Sequence, residues 1–89
     1  MTYYELLVSL RQRLLDAERD EHRQLGEELF STLNMMCEIS YEKQNEALTN
    51  VITDLMDAAR DVAMGVKGKS EIPTIEDIQA VFPPAEKAS

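Results

Sequence analysis

The clearest pattern in the chain is a seven-residue apolar repeat across residues 41–66. Tyr41, Leu48, Leu55 and Val62 fall at one repeating position, and Asn45, Ile52, Ala59 and Val66 at the other. All but Asn45 are apolar or aromatic, and the residues between them are largely polar. This spacing predicts a helix that buries one seam against other helices. Ser40 stands where an N-cap is expected, and Gly65 and Gly68 are stop signals after the last apolar turn. Lys67 and Lys69 lie where cations suit a helix C-terminus.

The first part of the chain is less regular. Thr2 and Glu5 make a capping box, so a helix is expected to start at Tyr3. Its apolar residues cover a wide arc: Tyr3, Leu7, Leu10 and Leu14 form a seam, with Tyr4, Val8 and Leu15 on its flank. From Asp16 to Gln24 the chain reads DAERDEHRQ, in which Ala17 is the only apolar residue. Arg13 with Asp16, Asp16 with Arg19, and Asp20 with Arg23 are helically spaced opposite charges, each pair contributing ~0.2–0.5 kcal/mol. The apolar pattern resumes through Leu25, Leu29, Phe30, Leu33, Met35, Met36, Cys37 and Ile39. Gly26 within it costs roughly 1 kcal/mol relative to Ala, too little alone to end a helix.

Propensity therefore favours one continuous helix over residues 3–38, the alternative being two helices meeting near Asp20–Gln24. The expectation is an antiparallel hairpin, residues 3–38 and 41–66, turning at Ile39–Ser40. At 1.5 Å per residue its arms would be ~54 Å and ~39 Å long, leaving Tyr3–Leu10 projecting with its arc uncovered. A second copy would cover it, giving a dimeric four-helix bundle with Tyr3, Tyr4, Leu7, Leu10 and Leu14 at the interface. Leu7→Glu would then separate the dimer.

Residues 67–74 read as a hinge. Thr74 then caps a short helix over residues 75–82, with Asp77 three residues on and Pro83–Pro84 closing it. Ile75, Ile78, Val81 and Phe82 share one side. They suit either a lid docking within the chain, the preferred reading, or an anchor for a dimer or partner groove. The tail after them, to residue 89, is expected to fray. The whole reads as a single all-α domain: a hairpin over 1–66, a hinge over 67–74, and a short helix with its tail over 75–89.

Composition narrows the function. Eighty-nine residues with 17 acidic against 9 basic side chains carry a formal charge of −8. Such a chain repels phosphate backbones, so direct nucleic-acid binding is not expected. The single Cys37 excludes an intramolecular disulfide framework and fits a reducing compartment. No signal peptide and no membrane span are legible, and a cytoplasmic location is expected.

Candidate chemistry is sparse. Glu18 with Glu21, and Asp54 with Asp57, each place two carboxylates on one helical face. At a distance this resembles the all-α nucleoside triphosphate pyrophosphatases of the MazG type. The resemblance implies Mg²⁺ held by carboxylates at a substrate's phosphates. The second pair departs from that family's Glu-then-Asp form, and no lysine or base-stacking aromatic stands beside it. A solvated charged face is the preferred reading of both pairs. His22, four residues after Glu18, reads as an exposed histidine, and Cys37 as a buried structural thiol. Met35, Met36, Met56 and Met64 read as core filler rather than a binding surface. No calcium loop, glycine-rich phosphate loop or zinc spacing occurs, nor the Asp-Ser-Leu of an acyl carrier.

The expected function is a small acidic non-enzymatic protein-interaction module (adaptor, inhibitor or accessory regulator), without cofactor or metal, acting on a protein partner. The rivals are the pyrophosphatase-like enzyme and an acidic decoy that inhibits a nucleic-acid-binding protein.

Overall fold

A computed structural model describes residues 2–66 and 71–82, and among them there are four helices and no strand. They are α1 (Tyr3–Asp20), α2 (Arg23–Glu42), α3 (Glu46–Met64) and α4 (Ile75–Ala80). Antiparallel α2 and α3 form the principal packed pair, and α1 folds back across one face of it. Residues 71–82 lie over α1 and the edge of α3 as a strap. No described helix is long and apolar enough to cross a membrane.

The continuous first helix is corrected: the chain breaks at Glu21–His22. Glu21 takes a left-handed conformation (φ 54°), its N–H turned back to the carbonyls of Ala17 and Glu18. The His22 N–H bonds to the Ala17 carbonyl at 2.9 Å. His22 then starts α2, its Nδ1 accepting from the Leu25 N–H at 3.1 Å. The physical reason is burial. Folding back takes Leu7, Leu14 and Ala17 fully out of solvent and Leu10 nearly so. Each large apolar side chain contributes about 1.5–3 kcal/mol, whereas a left-handed non-glycine costs about 1–2 kcal/mol and each lost ion pair a few tenths. Of the expected pairs, Asp16–Arg19 forms at 3.5 Å on the surface, and Asp20 takes Arg19 at 3.1 Å rather than Arg23.

The turn into α3 also differs from expectation. α2 runs through Ile39 and Ser40 to Glu42, and Asn45, not Ser40, caps α3 by accepting from the Leu48 N–H at 3.2 Å. Gln44 is left-handed (φ 57°), and the Asn45 N–H reaches back to the Ser40 carbonyl at 3.1 Å. The two corners share one feature: a left-handed residue immediately precedes the residue whose side chain caps the following helix. Ser40 is buried inside α2, its hydroxyl donating to the Cys37 carbonyl at 2.9 Å and bonded to Thr49 Oγ1 at 2.8 Å.

The seam of α3 follows the heptad from Leu48 onward: Leu48, Ile52, Leu55, Ala59 and Val62 are buried. Tyr41 is not part of it; it sits in the last turn of α2 and is 75% exposed. The facing seam of α2 is Gly26, Leu29, Leu33, Met36 and Ser40. Gly26 marks a close approach of the two helices. A Cβ placed there would lie 2.8 Å from the Ala63 nitrogen, 3.0 Å from the Ala59 oxygen and 3.0 Å from Val62 Cγ1. Gly65 ends α3 as expected, left-handed at φ 76°, with the Arg23 guanidinium packed over it. Gly68, Lys67, Lys69, Pro83–Pro84 and the tail lie outside the described residues.

Candidate interaction surfaces

The N-terminal arc is turned inward. Leu7, Leu10 and Leu14 belong to the chain's own core, and Tyr3 and Tyr4 are half-buried against it. The strap adds to the cover that α2 and α3 give this arc. Ile78 is fully buried and Phe82 nearly so, Val81 packs at the margin, and Ile75 stays 39% exposed at the outer side of α4. The Phe82 ring lies edge-on to Tyr4 with centroids 5.5 Å apart, and tilted against Tyr3 at 6.1 Å. α4 stops at Ala80, so Val81 and Phe82 follow it rather than extend it. The capping box is present in both directions: Asp77 N–H to Thr74 Oγ1 at 3.1 Å, and Thr74 N–H to Asp77 Oδ2 at 3.0 Å.

Two polar contacts seat the strap. Arg11 Nε donates to the Pro73 carbonyl at 2.7 Å, and Gln79 Nε2 donates to the Tyr4 hydroxyl at 3.1 Å. Sequence reasoning passed over Arg11. The signal was available: a cation between Leu10 and Leu14 within an apolar arc needs an acceptor at the margin of that arc. Tyr3 donates its hydroxyl to the Met36 carbonyl at 3.3 Å, which pins the start of α1 to α2. Burial, and secondarily the nearby Cys37 thiol, raise the Tyr3 pKa above its usual 10.0.

The acidic pairs are not gathered into one site. Glu18 and Glu21 line a hollow of about 150 Å³ with Arg23, Val62, Gly65 and Val66. Asp54 lines another, against the strap, while Asp57 is exposed. Among the described residues no three His, Cys, Asp or Glu side chains stand close enough to hold a metal. His22 is exposed and serves as the α2 cap, and Cys37 is half-buried with its Sγ 3.9 Å from Thr53 Oγ1.

What remains exposed and apolar differs from the expected surface. Met35 is 63% and Ile39 45% exposed, one turn apart on the side of α2 away from its seam. Glu28, Glu38 and Glu42 are exposed at helical spacing around them. Met35 therefore leaves the core-filler group, as does Met64 at the end of α3, 64% exposed. The signal missed in the sequence is phase: neither Met35 nor Ile39 falls on the spacing 26, 29, 33, 36, 40. Comparison with protein-family models, with curated proteins and with solved structures gave no match.

Proposed function

We propose that this protein is a non-enzymatic interaction module that binds a protein partner through the outer face of α2. The observation that carries the reading is the exposure of Met35 and Ile39 in a chain whose long N-terminal arc is otherwise buried. An apolar pair ringed by Glu28, Glu38 and Glu42 fits a partner groove with an apolar floor and a lysine- or arginine-rich rim. There the apolar contact supplies affinity and the charges supply orientation and on-rate. The net charge of −8 acts in the same sense, drawing basic surfaces and disfavouring self-association.

The dimeric bundle expected from the sequence is not part of this proposal. Leu7, Leu10 and Leu14 already have intramolecular cover, so the exposed α2 face is the better-supported surface. The test is quantitative affinity capture from native cells with the wild-type chain and with Met35→Glu/Ile39→Glu. Both positions are exposed, so the variant keeps its fold. A partner with a basic surface, recovered by the wild type and at least tenfold depleted with the variant, supports the reading. Identical recoveries from the two baits overturn it.

A further inference from the structure

We propose that residues 71–82 are a detachable strap. It opens as one unit while α1, α2 and α3 stay folded, and the groove it vacates binds a short amphipathic helix with the strap's own spacing. Four observations carry this. First, α4 has six residues, far below the length at which a helix persists alone in water. Its capping box holds its first turn, but its order otherwise depends on docking. Second, the docking rests on few anchors: buried Pro73, Ile78 and Phe82, and the two hydrogen bonds from Arg11 and Gln79. The α2–α3 pair, by contrast, shares an apolar seam along its whole length.

Third, the seam between strap and α3 is incompletely filled. A hollow of about 380 Å³ runs along it, lined by Val51 and Asp54 of α3 and by Glu71, Ile72, Pro73, Asp77 and Ala80 of the strap. Asp54 lines it from the α3 side and Glu71 and Asp77 from the strap side, all three exposed. Fourth, residues 71–82 contain Glu71, Glu76 and Asp77 and no lysine or arginine. The strap is an acidic segment on a chain of net charge −8, held by apolar burial and two hydrogen bonds. Those features belong to the low-stability end of a structure, where local opening precedes global unfolding.

The occupant of the open groove is defined by the one it already holds. Ile78 is buried in the core, Phe82 packs against the Tyr3 and Tyr4 rings, and a backbone carbonyl satisfies Arg11. A short helix with a branched aliphatic anchor in its last turn and an aromatic side chain just past its end, preceded by a free carbonyl, carries the groups these contacts require. This surface is separate from the Met35–Ile39 face, so the strap account stands or falls independently of the function proposed above.

Native-state hydrogen exchange on the full chain tests the opening. Amides of Ile78, Val81 and Phe82 are expected to exchange at least 100-fold faster than those of Leu33, Ile52 and Leu55, with Leu10 and Leu14 still in the slow group. Exchange of the strap together with α2 and α3 overturns the proposal, and so does loss of α1 protection together with the strap. The groove is probed with a fluorescein-labelled peptide of residues 71–82. It is expected to bind full-length Ile78→Asp, confirmed helical by circular dichroism, at least tenfold more tightly than wild type. Equal or absent binding to a folded Ile78→Asp overturns the groove. Should that variant unfold, the peptide is titrated against Phe82→Ala with the same two outcomes.

Discussion

Gly26→Ala places two effects of known sign in opposition. On propensity alone the change stabilises an interior helical position by about 1 kcal/mol. In the folded chain the new Cβ would meet the Ala63 nitrogen at 2.8 Å and the Ala59 oxygen at 3.0 Å. These are backbone atoms of α3 and cannot rotate away, and Val62 Cγ1 closes the third side at 3.0 Å. Ordinary carbon contacts lie near ~3.5–4.0 Å, so α2 and α3 must separate by roughly half an ångström or more. Along the seam, a gap of that size forfeits about a quarter of each contact's attraction. Overpacking of this kind costs about 1–3 kcal/mol, so the net effect is a destabilisation of about 1 kcal/mol. The thermal midpoint should fall by about 4–8 °C per kcal/mol for a chain of this size, and the urea midpoint should fall with it. Gly26→Val, with two further carbons and a β-branch, should cost about 3 kcal/mol. An alanine variant as stable as wild type, or more so, refutes the close crossing and with it the alignment of α2 on α3.

Other perturbations probe the corners and the buried arc. Gln44→Gly relieves a left-handed non-glycine residue and should stabilise by about 0.5–1 kcal/mol in urea unfolding, after the extra freedom of glycine in the unfolded chain is counted. His22→Ala removes the acceptor at the start of α2 and should cost about 0.5–1 kcal/mol by the same assay. Leu7 is fully buried, so Leu7→Glu should remove a large part of the chain's stability, lowering the temperature at which helix is lost. An uncompensated buried charge costs about 3–5 kcal/mol, and a domain of this size has only about 5–13 kcal/mol in total; far-ultraviolet circular dichroism reads the loss of helix. Tyr3 has a raised pKa because its phenol is held neutral by burial. Its contribution is therefore complete below the unfolded value of 10.0 and lost as pH rises through the higher folded value. Alkaline titration should show Tyr3 ionising above the usual phenol value, with unfolding following, and Tyr3→Phe should shift that alkaline limb to higher pH.

The chain displays its packing residues openly and its corners poorly. The α3 seam from Leu48 to Val62, the Thr2 and Thr74 caps and the Gly65 stop were legible because each depends on local spacing or on a residue type with one conformational role. The break at Glu21 and the turn at Gln44 were not. Glutamate and glutamine carry no left-handed signal, and their conformations are imposed by what the helices on either side bury. Ser40 is a good cap by type, yet Thr49 and the Cys37 carbonyl offer its hydroxyl buried partners that only the folded hairpin provides. The candidate surface followed the same logic. The wide arc of α1 meets three neighbours, α2, α3 and the strap. Docking of residues 75–82 within the chain is the preferred reading of the sequence, but propensity cannot specify contacts such as Gln79 with Tyr4, 75 residues apart. Once that arc is covered, Met35 and Ile39 become the informative residues, and they stand out only when the true phase of α2 is known.

The account turns on whether the N-terminal arc is covered from within the same chain. Isotope-filtered nuclear Overhauser spectroscopy on an equal mixture of labelled and unlabelled full-length protein measures this directly. The Phe82 ring lies 5.5 Å from the Tyr4 ring and 6.1 Å from the Tyr3 ring, centroid to centroid, so cross-peaks between them should be strong. The account predicts that they arise within single molecules and vanish from the intermolecular spectrum. Phe82–Tyr4 cross-peaks between labelled and unlabelled copies would contradict it, for the arc would then be covered by a second chain.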